Sequence, residues 1–82
     1  MNAFDSYISN PEPAISTAAT LLESTTQQHQ SGALTDAEYT ELCNDILDYN
    51  RVVSMISDMT RKQEIYEAFM ALSSIVGAIK SL

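Results

Sequence analysis

From Tyr39 onward the apolar residues of this chain fall in steps of three and four: Tyr39, Leu42, Ile46, Tyr49, Val53 and Ile56. That spacing returns a side chain to one helical face on each turn, and it reads as a heptad seam. Cys43, Leu47, Val52, Met55 and Met59 widen the face and carry the expected helix to at least Ser57. A second row follows, Ile65, Phe69, Leu72, Val76 and Ile79, with Tyr66, Met70, Ile75 and Leu82 beside it. The two rows are out of phase, because the first, continued, lands on the polar Thr60 and Gln63. Either the chain turns near residues 57–60, with Thr60 and Gln63 as a capping box, or one helix absorbs a stutter there. No Gly or Pro marks a stop, and Arg61 and Lys62 sit poorly in a first turn, where the helix dipole disfavours cations. The spacing therefore favours a continuous or slightly bent helix from Thr35 to about Lys80, a rod of roughly 70 Å at ~1.5 Å per residue.

Upstream, Asn10 is suited to an N-cap, with Pro11 at N1 and Pro13 at N3, where no intrahelical donor is needed. Ile15, Ala18, Ala19 and Leu22 share one face of the helix this begins, continued by Thr26 and His29. Gly32 fits the C′ position that ends it. Thr35-Asp36-Ala37-Glu38 is a capping box, with Leu34 and Tyr39 placed as a hydrophobic staple. Only Ala33 and Leu34 separate Gly32 from that cap, so the two helices should form an antiparallel hairpin. Residues 1–9 carry Phe4, Tyr7 and Ile8 without a sustained period. They read equally as an arm that docks its aromatics and as a frayed terminus. The expectation is an all-α fold: an arm at 1–9 and one helical domain at 10–82, with helices at 10–31, 35–57 and 60–80, the last two read as one.

Composition narrows the function. The chain has 82 residues and a net charge of −7, from 11 acidic and 4 basic side chains. That balance argues against nucleic acid or an anionic membrane surface as a direct partner. Cys43 is the only cysteine, so no internal disulfide is available and a reducing interior is the expected setting. The first residues have neither a basic n-region nor an apolar h-region, so a secreted protein is not expected. The uncharged stretch Ala68–Ile79 falls short of the ~20 apolar residues that span a membrane. With only 2 glycines, no phosphate-binding loop or nucleophile elbow is present. His29 and Cys43 lack companions at metal-ligand spacing. The expected state of His29 is solvent-facing near a helix end, and that of Cys43 is a buried small hydrophobe. No catalytic residue, metal ligand or cofactor is assigned, and the chain is not expected to be an enzyme.

Two surfaces remain. Glu38, Glu41, Asp45 and Asp48 step by three, four and three along the expected second helix, where they read as an ordinary solvated face or as a contact for a basic partner. Charge is uneven along the chain, −3 over residues 1–34, −5 over 35–59 and +1 over 60–82. The other surface is the C-terminal row Ile65, Phe69, Leu72, Val76 and Ile79, flanked by Ser73-x-x-x-Gly77, which lets a second helix approach closely. An exposed apolar strip of that size is an aggregation liability, so the row is expected to mediate self-association.

The stretch from Leu22 to Leu47, and above all Gly32, Leu34, Thr35, Glu38, Tyr39, Ile46 and Leu47, resembles the helical hairpin modules of the SHOCT type. The resemblance covers about a third of the chain and implies an oligomerisation or tethering element. The basic residues usual in that hairpin are missing here. In overall style the chain is also similar to small coil-containing structural proteins of tailed bacteriophages, which implies a tail or baseplate role in several copies. The expected function is therefore a non-enzymatic structural or assembly protein, associating with itself and with other structural proteins. It would sit in the virion if phage-derived and in the cytoplasm otherwise. The alternative is an acidic regulatory inhibitor, holding a basic, nucleic-acid-binding protein through Glu38, Glu41, Asp45 and Asp48.

Overall fold

Proline fixes where the first long helix begins. The computed structural model describes residues 3–81, so Met1 and Asn2 of the expected arm and Leu82, beside the C-terminal row, lie outside the described residues. Within them the elements are α1 (Asp5–Ile8), α2 (Pro13–Gln30), α3 (Asp36–Ile46), α4 (Tyr49–Val52) and α5 (Met59–Lys80), with no strand. The all-α expectation holds. The start of α2 moves from Asn10 to Glu12, the N-cap, with Pro13 at N1. A residue before proline is driven out of the helical region, and Glu12 is extended at φ −77° and ψ 115°. Asn10 instead accepts a hydrogen bond from the Glu12 backbone N–H at 2.8 Å, closing a turn ahead of the helix.

The hairpin forms as its capping residues dictate. Gly32 takes φ +87°. Its N–H donates to the His29 carbonyl at 3.1 Å while the Ala33 N–H donates to that of Gln28 at 2.9 Å, a Schellman closure. Both halves of the capping box are made: the Glu38 N–H donates to Thr35 Oγ1 at 3.1 Å, and the Thr35 N–H to Glu38 Oε1 at 2.9 Å. α2 then packs against α1, α3 and α5, and α4 against α5.

The expected rod is absent. The chain leaves the helix after Ile46, makes one turn at 49–52 and restarts at Met59, within an envelope of 39 × 25 × 17 Å. Two aspartates do this without any Gly or Pro. Asp48 accepts from the Arg51 N–H at 3.3 Å and caps α4. Asp58 accepts from the N–H groups of Thr60 and Arg61 at 2.9 and 3.2 Å and caps α5. Such side chains offer the backbone a partner that a continuing helix would forgo. The cap is thus Asp58, two residues before the Thr60 that the alternative of a turn at 57–60 would use. Arg61 does lie in the first turn, but the Glu12 carboxylate meets it at 2.6 and 3.2 Å. That contact answers the unfavourable dipole and raises the guanidinium pKa further.

The arm is also more than an arm. Phe4 precedes α1 and is buried with Ile15, Ala18, Ala19 and Leu22 of α2, Tyr39 and Cys43 of α3, Val53, and Ile65, Ala68, Phe69, Leu72 and Val76 of α5. Tyr7 and Ile8 pack against this core. Of its two readings, docking is the one realised.

Candidate functional site

The C-terminal row points inward. Ile65, Phe69, Leu72 and Val76 are buried within the chain, and Ile79 is partly buried against the same core. The outward face of α5 carries Tyr66, Met70, Ser73 and Gly77 instead, with Met70 57% exposed. A Cβ placed on Gly77 would meet nothing within 4 Å, so no packing inside the chain requires a glycine there.

The acidic row is divided by the end of α3. Glu38, Glu41 and Asp45 lie on α3 and, with Leu34 and Leu42, line one depression of about 270 Å³. Asp48 lies beyond the helix, where it caps α4 and stands 3.9 Å from the Arg51 guanidinium. Glu38 is engaged in the capping box. Glu41 and Asp45 are exposed, and their carboxylates have no hydrogen-bond or ion-pair partner among the described residues.

Next to that depression opens a groove of about 470 Å³, walled mainly by Pro13, Ala14, Ala18 and Leu21 of α2 and by Leu42, Ile46 and Val52 across from them. Leu42 and Asp45 belong to both hollows, so the apolar groove runs into the acidic one. Leu21 remains 49% exposed and Leu42 39%. Leu42 was expected inside the seam. The buried face of α3 carries Tyr39 and Cys43, and Leu42 is left at the groove edge. Leu21 escaped the sequence reading because it sits one residue off the narrow α2 stripe. Beside Asp45, Arg51 donates through Nη2 to the Asp45 backbone carbonyl, tying α4 to the end of α3.

Behind the hairpin is a small polar cluster. The Tyr39 ring stacks on His29 with centroids 4.4 Å apart, and the Tyr39 hydroxyl lies 2.6 Å from Thr26 Oγ1. His29 Nε2 lies 2.7 Å from Asp36 Oδ1. His29 is thus largely covered, with 19% of its side chain exposed, and is not the solvent-facing residue expected from the sequence. Its Nδ1 is buried and has no partner among the described residues. Cys43 is buried as expected, and burial pushes its thiol pKa up. Burial likewise raises the Tyr39 phenol, against the lowering effect of Thr26. The cluster ties α2 to α3.

No three His, Cys, Asp or Glu side chains among the described residues are grouped to hold a metal ion. No described helix is long and apolar enough to cross a membrane. No family model, curated protein or solved structure matches the chain.

Proposed function

We propose that this chain is a non-enzymatic protein-interaction module that holds its partner between α2 and α3. One observation carries the reading: Leu21 and Leu42 both line an open apolar groove and stay exposed, while the α5 row is enclosed. Large apolar side chains left at the edge of a concave surface are the usual mark of a protein contact. The reading keeps the partner class of the inhibitor expectation and moves the contact from an acidic face alone to a groove with an acidic wall.

The test is retention of partners from the native source on immobilised protein, compared with a Leu21→Ser/Leu42→Ser variant. The reading requires a protein held by the parent and lost by the variant, with the variant's far-ultraviolet dichroism unchanged. Identical sets of retained proteins would remove it.

A second reading is self-assembly, as in a particle component such as a phage tail. It is favoured by the exposed α5 row Tyr66, Met70, Ser73 and Gly77, where a glycine stands without internal need. In this reading copies meet on that outer row, not on Ile65, Phe69, Leu72 and Val76. Light scattering decides it: a 9.0 kDa particle at micromolar concentration excludes it.

A further inference from the structure

We propose that the occupant of the α2/α3 groove is a short basic amphipathic helix of a partner protein, with apolar side chains between Leu21 and Leu42 and a Lys or Arg against Glu41 and Asp45. The inference rests on the interaction-module reading and adds the partner's chemistry. Three features of the groove select that chemistry. It is an open trough, whereas small-molecule sites enclose most of their ligand. Its α2 wall from Pro13 to Leu21 runs roughly 12 Å at ~1.5 Å per residue, enough to seat two turns of a helix laid along it. Its continuation past Leu42 and Asp45 is acidic, and the two carboxylates there, Glu41 and Asp45, have no partner among the described residues.

Apolar contact and charge are therefore offered side by side. A Lys or Arg can lay its aliphatic stem over Leu42 while its head meets Asp45. Asp48 and Glu38 contribute less, because each carboxylate already serves a helix cap. Arg51 gives the site a direction. Its guanidinium lies against the Asp45 backbone carbonyl and 3.9 Å from the Asp48 carboxylate, so the occupant's cation belongs nearer Glu41 and a neutral or acidic end belongs at Arg51.

The experiment follows backbone amide shifts of the isotope-labelled full chain during titration with three synthetic helical peptides. Each is about four turns long. One has a leucine face flanked by lysines, one has glutamates in place of the lysines, and one has alanines in place of the leucines. The proposal expects the lysine–leucine peptide to shift Leu21, Leu42, Asp45, Ile46 and Val52, with far weaker binding by the other two. It expects Glu41→Gln/Asp45→Asn to weaken the first peptide by about threefold to tenfold, the size typical of two exposed charge pairs. Equal binding of the glutamate–leucine peptide in the groove overturns the basic partner and leaves the interaction-module reading standing. Equal binding of the alanine peptide overturns the apolar half of the inference. Shifts confined to Tyr66 and Met70 on α5, or no shift with the lysine–leucine peptide, overturn the groove as its site.

Discussion

The hydroxyls of Thr26 and Tyr39 meet at 2.6 Å in the interior, one from each arm of the hairpin. Neither group has solvent to fall back on, since both residues are buried. Removing one hydroxyl takes from the other its Thr26–Tyr39 bond, at a cost of about 1–3 kcal/mol, tempered at Tyr39 by the neighbouring Cys43 thiol, whereas removing both is far milder. Tyr39→Phe and Thr26→Val should each destabilise the fold, and the double variant should lose clearly less than the sum. Urea unfolding of all four proteins measures that coupling.

Alkaline pH should weaken the fold through the same interior. Burial raises the pKa of Cys43 above its usual 9.0 and that of Tyr39 above 10.0. The unfolded chain therefore releases these protons at lower pH than the folded one, so stability is fully present below about pH 9 and falls as pH rises through the folded values. Cys43→Ala should remove the earlier part of the loss and Tyr39→Phe the later part. The urea midpoint followed from pH 7 to 11 reads both.

Helix α5 should depend on Asp58 and not on Thr60. Asp58→Ala deletes two hydrogen bonds to the first turn and is expected to cost about 1 kcal/mol. Thr60→Ala removes a hydroxyl that caps nothing and should stay within about 0.5 kcal/mol of the parent. Thermal unfolding of the two variants compares them. Equal losses would place the cap where the Thr60–Gln63 spacing had put it.

What could be read from the chain before its structure divides along the same line. The hairpin was legible because Gly32, Thr35 and Glu38 act within a few residues of one another, and local capping chemistry needs no knowledge of the rest of the fold. The rod fails because Asp48, which reads as one of the acidic row, and Asp58, which the apolar spacing passes over, both serve as caps. Asp48 fitted the step of three and four so well that its competing role at the backbone went unseen. The inward direction of the α5 row was beyond the sequence. A row of apolar residues looks the same whether α2 or a second copy covers it. The groove was invisible for a related reason: its walls come from α2, α3 and α4, whose mutual placement no local pattern records.

Charges placed in the α5 row should unfold single chains. Phe69→Asp/Val76→Asp buries two unpaired carboxylates in the monomer core, a change of several kcal/mol against a small domain's margin. Loss of far-ultraviolet helix signal is expected at every protein concentration. A variant that stays folded and merely becomes smaller in light scattering would show that the row lies between copies.

Gly77→Ala separates internal from external use of the α5 outer face. With open space around the new methyl group, the change should stabilise the helix by up to about 1 kcal/mol. Under self-assembly through that face the same methyl group would also hold a neighbouring helix away. A raised thermal midpoint at unchanged particle mass is the expected result for a chain that does not pack on itself there.

Ala3, Phe4 and Ile79 line one hollow, so the start of the described chain and the end of α5 are neighbours at one end of the bundle. A ribosome makes Phe4 roughly 75 residues before Ile79. Until α5 has emerged, Ile15, Ala19 and Leu22 on α2 lack much of their cover, and the Phe4 ring has no Ile79 beside it. The hairpin can assemble early from its own caps, but the interior stays open during translation. Closure is then a late event, and a chain interrupted before residue 65 would present to its surroundings the α2 face that the finished protein keeps out of reach.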